Sequence, residues 1–426
     1  MSSTDARSPA ALPDQTTTQL QIGGRGGTTR PLQRARLVGV DVARGLALLG
    51  MMAVHVVDEL DSRGNPTLAT EVAAGRASTL FVMLAGVGLA LLSGGQRPAE
   101  GRARTAIAAG IAVRALLIGA IGLLLGDLFG QSTQVEVILP YYGLLFLIAI
   151  PLLGLRPRTL AWIAVAVVAV APVVILWIVA DVGAAELDAG GNVTFATLFE
   201  DPGGLLSALL VTGSYPVLAF LAYLCAGIAI GRLNLSSSRL AAGLLGGGLV
   251  MAIGAQLVSS MLLFQLGGMQ ELVDLEEVGS RGEAVNQLLW DPQPVGSWWY
   301  LAVSAPHSST PIDLLHTLGS AMAVLGAALL LCRIRVIARL LRPLAAAGSM
   351  TLTLYCAHLL VLSTGLFADQ QLPLYVLMVV AALAFGYFWQ RKMGQGPLER
   401  LVAAIAGRAR RAVAAQGTGD GRHRRD

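Results

Sequence analysis

The sequence predicts an all-α membrane protein, a polytopic helix bundle with about ten transmembrane helices. Of the 426 residues, 55% are hydrophobic and 13% are charged, whereas an ordinary soluble domain carries about 25% charged residues. Apolar stretches of about 20 residues recur along the chain, and that length crosses about 30 Å of hydrocarbon as a helix. Alternate loops also differ sharply in basic residues. A β-barrel would instead show alternating segments of about 10 residues.

The apolar stretches divide the chain into a tail, a bundle and a second tail. Residues 1–33 are rich in Ser, Thr, Gly and Pro and predict a disordered cytoplasmic tail. Residues 391–426 are basic, and apolar residues at helical spacing up to about Ala415 predict an amphipathic helix on the inner leaflet. The transmembrane bundle covers residues 34–390, with predicted spans at 37–57, 76–93, 105–126, 136–155, 159–180, 213–232, 239–263, 311–332, 344–364 and 373–389.

The basic residues predict the orientation in the membrane, because cytoplasmic loops carry an excess of Lys and Arg. If the N-terminus is inside, 25 of the 30 Lys and Arg residues fall on the cytoplasmic side. We therefore expect a multi-pass protein of the inner, cytoplasmic membrane with both termini in the cytoplasm and the lipid bilayer as its first partner. This topology explains the net charge of +4, so no nucleic-acid partner is expected.

Two loops on the predicted outer side are long, at residues 181–204 and 264–310. The second contains an aromatic cluster of Trp290, Trp298, Trp299 and Tyr300. Trp and Tyr favour the membrane interface, which is one interpretation of the cluster. The other interpretation is a lid or an acceptor-binding surface.

The first span carries three polar side chains, Asp41, Arg44 and His55. Arg44 and His55 share one helical stripe, Asp41 lies within about 60° of it, and the two stripe residues are roughly 16 Å apart along the axis. An ionisable residue inside a span usually faces the bundle interior and marks function. Asp41 and Arg44 have a structural alternative as an i,i+3 ion pair, and His55 has one as a satisfied core histidine.

Further polar residues fall at similar depths. Arg114 lies within the third span and requires a counter-charge, for which Glu136 and Asp127 are candidates. Glu136 precedes a tyrosine pair that includes Tyr142, and Tyr215 precedes a proline that we expect to break the sixth span.

Four of the five histidines are predicted in the outer half of the membrane or beyond it. His307 precedes the eighth span, His316 follows Asp313 inside that span, and His358 lies in the ninth. Their spacing matches no zinc motif, and no metal is expected. The candidate substrate-binding residues are thus Arg114, Glu136, Tyr142, Tyr215, His307, Asp313, His316 and His358.

The run from Arg36 to His55, with its Asp, Arg-Gly and terminal His, resembles the opening helix of heparan-α-glucosaminide N-acetyltransferase-like membrane proteins and, more distantly, of the acyltransferase-3 family. Residues 78–86, within the second predicted span, are similar to the second-helix segment of that group. Later segments resemble the bacterial YeiB-like membrane proteins, at residues 212–216, 226–232, 306–311, 348–355 and 396–399.

The resemblance implies transfer of an acyl group, with acetyl-CoA as the expected donor inside and an envelope sugar, lipid or polymer as acceptor outside. It places the active histidine between the first two helices, where His55 is the best match. His55 would act as a general base or as a covalent acyl carrier, with Asp41 and Arg44 completing the catalytic set. Arg44, Arg102 and Arg104 would hold CoA phosphates or act only as topology determinants.

Two other classes of function stay open at this point. A charged stripe that crosses a helix also suits a transporter or exporter of a solute or lipid without covalent chemistry. A structural or partner-binding membrane protein is the third possibility, which explains the intramembrane charges less economically. The sequence gives neither the acceptor nor the oligomeric state.

Overall fold

The computed structural model describes residues 30–62, 64–130, 135–182, 191–275, 280–290, 296–366 and 369–419. Within these ranges every regular element is helical, and one isolated antiparallel bridge joins Leu60 to Pro66. Most of the predicted N-terminal tail, parts of the two long loops and residues 420–426 lie outside the described residues.

The α-helices follow one another with short connections. In chain order they are α1 (Arg30–Val56), α2 (Leu68–Ala73), α3 (Arg76–Leu92), α4 (Gly101–Phe129), α5 (Leu139–Leu152), α6 (Pro157–Val182), α7 (Phe195–Glu200), α8 (Pro202–Ser207), α9 (Val217–Gly231), α10 (Ser238–Ser260), α11 (Gly268–Leu275), α12 (Arg281–Trp290), α13 (Pro311–Leu331), α14 (Arg335–Leu340), α15 (Arg342–Gly348), α16 (Thr351–Ser363), α17 (Gln371–Met393) and α18 (Pro397–Gly419). Two π-helical turns, Ala208–Thr212 and Met261–Gln265, extend α8 and α10, and a 3₁₀ turn covers Trp298–Ala302.

The described chain contains seven helical segments long and apolar enough to cross a membrane, which confirms the all-α polytopic fold. Two broken pairs also pass that test as units. α8 with its π-turn is bent by 56° against α9, and α15 is bent by 84° against α16. The first bend lies at Pro216, where the sequence predicts a break, since proline cannot donate the backbone hydrogen bond that would continue the helix.

The predicted count of ten spans is not confirmed. Counting each broken pair as one span gives up to nine in the described residues. The predicted span at 136–155 contains only α5, with 14 residues, or about 21 Å at 1.5 Å per residue. Apolar composition does not show where a helix begins, and residues 135–138 belong to none.

Glycines allow the central helices to pack backbone against backbone. A Cβ on Gly86 of α3 would lie 2.4 Å from the carbonyl oxygen of Leu224 in α9, and one on Gly227 would lie 2.0 Å from that of Met83. Gly248 of α10 and Gly319 of α13 meet in the same way. Small residues at helix contacts are typical of membrane proteins, because apolar side chains gain little by leaving lipid for another helix.

The polar residues are distributed around α1, which lies in the middle of the bundle. Its membrane-spanning window is more than half buried, as are those of α2–α3 and α13, while α4, α10 and α17 have under a third of theirs buried. α1 packs against α3, α13, α15 and α17. The two ends of the bundle are the Asp41 end and the His55 end, after the α1 residues that lie there.

Candidate functional site

His55 and His358 meet at the His55 end of the bundle. Nδ1 of His55 lies 2.9 Å from Nε2 of His358, within hydrogen-bond distance. The two rings are nearly parallel, 9° apart, with centroids separated by 5.3 Å. His55 comes from the last turn of α1 and is partly exposed, whereas His358 is 3% exposed inside α16. Because each imidazole has two nitrogens, this contact engages one nitrogen of each ring and fixes their relative orientation.

Tyr355 packs against both imidazoles from the same helix as His358. Its ring centroid lies 5.0 Å from that of His358 and 6.2 Å from that of His55, in edge-to-face geometry. Its buried hydroxyl accepts a hydrogen bond of 3.3 Å from the backbone N–H of Ile138, just before α5. Since residues three apart share a helix face, Tyr355 and His358 present one aromatic surface to α1 and α5.

Tyr142 continues this polar path toward the Asp41 end. Its ring packs edge-to-face on Phe81 of α3. Its hydroxyl is buried and, within the described part of the chain, has no hydrogen-bond partner. The hydroxyl lies within electrostatic range of both Tyr355 and Arg44. A buried hydroxyl without a partner carries a cost of about 1–3 kcal/mol, which makes this atom a candidate ligand-binding group.

Glu136, Tyr215 and His307 lie at the rim of the His55 end, where Tyr215 is buried, Glu136 is partly exposed and His307 is exposed. His307 donates from Nδ1 to the carbonyl of Ser214 at 3.3 Å, and its ring lies 5.4 Å from the Tyr215 ring. His307 is exposed, has a φ of 62°, and is within electrostatic range of His55. Glu136 is within range of Tyr215 and Tyr355. The three predicted residues Glu136, Tyr215 and His307 therefore lie in the same neighbourhood as His55.

His316 belongs to a second cluster in which both ring nitrogens are engaged. Nε of Arg76 donates to Nε2 of His316 at 3.1 Å, and Nδ1 of His316 donates to the carbonyl of Ala252 at 3.0 Å. Arg76 also donates to the carbonyl of Glu71 at 2.6 Å. This arrangement holds α3, α10 and α13 together, and it occupies His316 fully.

Asp313 lies beside this cluster at the start of α13 and is 3% exposed. Its Oδ2 accepts from the backbone N–H of Ser309 at 3.2 Å, and Oδ1 has no partner among the described residues. Ser309 has a φ of 54°, a backbone conformation that is uncommon for residues other than glycine. Asp313 is also within electrostatic range of Arg76. The predicted residues Asp313 and His316 thus share Arg76 as a neighbour, and no sequence motif singled out this arginine.

Arg44 occupies the Asp41 end of the polar stripe. It forms a 3.3 Å ion pair with Asp41 and donates at 3.5 Å to the carbonyl of Leu84 in α3. Arg114 of α4 is within electrostatic range of Arg44 and of Glu399. Glu136, one of the two candidate counter-charges for Arg114, is within electrostatic range of Tyr215 and Tyr355 at the other end. The pairing of Arg114 with Asp127 stays a prediction.

The other arginines proposed for CoA phosphates are on the surface near the start of α4. Arg102 and Arg104 are exposed, and Arg104 donates to the carbonyl of Pro151 at 3.2 Å. Among the described residues, no group of three or more His, Cys, Asp or Glu side chains could hold a metal ion.

The comparison with known families fits this geometry. The family model for the catalytic region of heparan-α-glucosaminide N-acetyltransferase matches residues 36–259, just over half of the chain. The chain belongs to this acetyltransferase family. A second family model, for a protein family of unknown function (DUF418), matches residues 287–408. Both resemblances noted in the sequence are therefore confirmed. No curated protein matches the chain.

In this member of the heparan-α-glucosaminide N-acetyltransferase family, the candidate site draws on both matched regions. His55, Tyr142 and Arg44 lie in the first, and His358 and Tyr355 lie in the second. The hydrogen bond between His55 and His358 joins residues 303 positions apart. The site is therefore assembled only when the two regions fold together.

Proposed function

We propose that this chain is a membrane acetyltransferase that transfers an acetyl group from acetyl-CoA to an amine or hydroxyl of a cell-envelope sugar, lipid or polymer. The observation that carries the proposal is the 2.9 Å contact between His55 Nδ1 and His358 Nε2. It leaves His55 Nε2 to face the acceptor while Nδ1 is held in place. Family membership adds the reaction class, and the name of the matched family adds amino sugars to the acceptors worth testing.

The proposed orientation places both termini in the cytoplasm and the His55 end on the outer side of the inner membrane. The asymmetry of basic loops supports it. Under this orientation Arg44 and Arg114 lie toward the cytoplasm, where the donor is made, and their guanidinium groups suit the phosphates of CoA. Asp41 then acts as the partner that holds Arg44 in position.

The chemistry at His55 has two routes. In the direct route, Nε2 of His55 accepts a proton from the acceptor N–H or O–H while the acceptor attacks the thioester carbonyl. The C–S bond breaks, and the CoA thiolate takes up the proton. In the two-step route, Nε2 itself attacks the carbonyl, the C–S bond breaks and CoA leaves as the thiolate. The acceptor then attacks the acetyl group on Nε2, the bond between Nε2 and the acetyl carbon breaks, and the proton of the acceptor passes to the thiolate.

Both routes require His55 Nε2 to carry a lone pair. When His358 Nε2 accepts the hydrogen bond, the proton lies on His55 Nδ1, and His55 Nε2 is unprotonated. His358 thereby selects the reactive tautomer, as the partner of a catalytic histidine commonly does. The hydroxyl of Tyr142 would donate to the thioester carbonyl, where negative charge develops.

The test is acetyl transfer by purified protein in nanodiscs. Radiolabelled acetyl-CoA is supplied with glucosamine and, separately, with an envelope extract, and label is followed in product and on protein. We expect transfer by wild type and its loss in His55→Asn, which keeps a polar atom at the Nδ1 position but has none at Nε2. His316→Asn is the matched control and should remain active. Transfer by His55→Asn at the wild-type rate would remove His55 from the mechanism.

A second candidate function is transport of a solute or lipid without covalent chemistry. It is favoured by the polar path that runs from Arg44 through Tyr142 and Tyr355 to the two histidines. It predicts pH-gradient-dependent flux in proteoliposomes, sensitive to Arg114→Gln and Glu136→Gln, with no acetylated product. A flux that is the same in wild type and in both variants would count against the transport function.

A further inference from the structure

The first turn of α18 is attached to the first turn of α16, the helix that carries Tyr355 and His358. The attachment involves Glu399 and Thr353. Oε1 of Glu399 accepts from the backbone N–H of Thr353 at 3.1 Å, and Oε2 accepts from its hydroxyl at 2.5 Å. In return, the Thr353 hydroxyl accepts from the backbone N–H of Leu398 at 3.1 Å.

This is a reciprocal capping arrangement between two helices. The first N–H groups of any helix lack partners within it, and a capping box satisfies them from the same chain segment. Here the residue before α16, Met350, supplies no side-chain cap. Glu399 supplies the missing acceptor for α16, and Thr353 supplies one for α18. Neither helix start is therefore independent of the other.

The backbone before α18 is shaped to allow this contact. A Cβ on Gly396 would lie 2.1 Å from Oε2 of Glu399 and 2.6 Å from the Cβ of Met350. Only glycine leaves room there for the carboxylate to reach back toward α16. Gly394, which ends α17, has a φ of 80°, a conformation that glycine adopts readily. Both glycines thus serve the placement of Glu399.

Charge also favours the carboxylate at this position. The positive ends of the two helix dipoles converge on Glu399, and Arg114 is within its electrostatic range. Glu399 lies at the Asp41 end, so it cannot touch an acceptor bound at His55. Thr353 precedes His358 by five residues, which is about 8 Å along the helix axis. Any influence of Glu399 on the site must pass through α16.

We infer that Glu399 is a positioning residue that fixes α16, and through it His358, against His55. The inference deepens the proposed acetyltransferase function and rests on it for its kinetic part. Beyond its first turn, α16 is held by the contact of His358 with His55, by Tyr355 with Ile138 and by the packing of its buried apolar side chains. Loss of the Glu399 attachment releases the start of the helix, and displacement of a reacting group by about 1 Å costs on the order of 10²-fold in rate.

The matched pair of variants is Thr353→Ser and Thr353→Val. Serine keeps the hydroxyl that donates to Glu399 and accepts from Leu398, whereas valine keeps the shape and loses both bonds. We expect Thr353→Val and Glu399→Gln to lower kcat by about 10-fold or more with little change in KM. Thr353→Ser should restore the wild-type kcat. Equal kcat in the serine and valine variants would overturn the inference.

A double-mutant cycle separates positioning from a general loss of structure. If Glu399 acts through His358, then Glu399→Gln should have no further effect on kcat in the His358→Asn background. Additive losses in the two variants would show that Glu399 acts elsewhere and would overturn the inference.

A spectroscopic arm does not depend on activity. Full-length wild type, Thr353→Val and Thr353→Ser are labelled with ¹⁵N-histidine, placed in nanodiscs and compared by solid-state NMR. The variants His307→Asn and His423→Asn are used to assign the histidine signals. We expect the His55 and His358 signals to shift in Thr353→Val and to stay in place in Thr353→Ser. Unchanged signals in both would overturn the positioning role. If wild type transfers no acetyl group but these signals shift, the proposed function fails and the positioning stands.

Discussion

Two histidines at the same end of the bundle, His55 and His316, differ in what their ring nitrogens contact. Both nitrogens of His316 are engaged, one by Arg76 and one by the carbonyl of Ala252. In the part of the chain that the structure describes, the one hydrogen-bond contact of His55 is between its Nδ1 and Nε2 of His358. A histidine with two protein partners holds helices together, and one with a single partner has a nitrogen for a substrate. The difference makes His55, and not His316, the candidate for a catalytic histidine.

The largest effect that tests this comparison is expected at His55 Nε2. His55→Asn should lower acetyl transfer by about 10²–10⁴-fold, the range that a general acid–base residue contributes. Thermal unfolding followed by tryptophan fluorescence should change little, because the asparagine amide replaces Nδ1 in the contact with His358. A large loss of thermal stability together with activity would mean that His55, like His316, is a structural residue.

The next largest effect is expected for the Tyr142 hydroxyl. Tyr142→Phe removes a buried polar atom that has no hydrogen-bond partner among the described residues, so the protein should unfold at an equal or higher temperature. The rate of transfer should fall by about 10²-fold, as for loss of one donor to an oxyanion. Phe146→Leu on the next turn is a control for packing. An active Tyr142→Phe variant would leave the buried hydroxyl without a catalytic role.

His358→Asn tests the hydrogen-bond partner of His55. Asparagine places no polar atom where Nε2 contacts His55, so the reactive tautomer loses its support. We expect kcat to fall by about 10- to 100-fold, less than for His55→Asn. If the two variants were equally inactive, His358 would itself take part in proton transfer.

The smallest effect on activity is expected in the second cluster. His316→Asn leaves Nε of Arg76 without its acceptor, at a cost of about 1–3 kcal/mol in folding free energy. The unfolding temperature in nanodiscs should fall, while kcat per folded molecule stays within about twofold of wild type. A selective loss of kcat with normal stability would instead make this cluster part of the reaction site.

Much of the fold could be predicted from the sequence, because a membrane helix must be long and apolar. The exception is the segment at 136–155, where apolar residues continue in both non-helical chain and α5. Hydropathy averages over both and cannot locate the first helical residue. The bend between α15 and α16 was not predicted for the same reason, since the predicted span at 344–364 runs across it without interruption.

The site could be predicted only in part. Asp41, Arg44 and His55 fall on neighbouring positions of one helix, which helical periodicity shows directly. The partners do not follow from periodicity, because they come from other helices. His358 is 303 residues from His55, and Glu399, a carboxylate within electrostatic range of Arg114, comes from α18. Tyr355 was detectable only as the residue three before His358 on the same helix face.

After the 84° bend, α16 is a short connection between the Glu399 attachment and the histidine pair. Along α1, Asp41 and His55 are 14 residues, or about 21 Å, apart. Along α16, the capped start at Thr353 and the imidazole of His358 are only about 8 Å apart. Measured along a helix, the attachment of Glu399 at Thr353 is therefore much closer to the His55–His358 contact than Asp41 is to His55. A disturbance at the start of α16 has to pass through less than two turns of helix to reach His358.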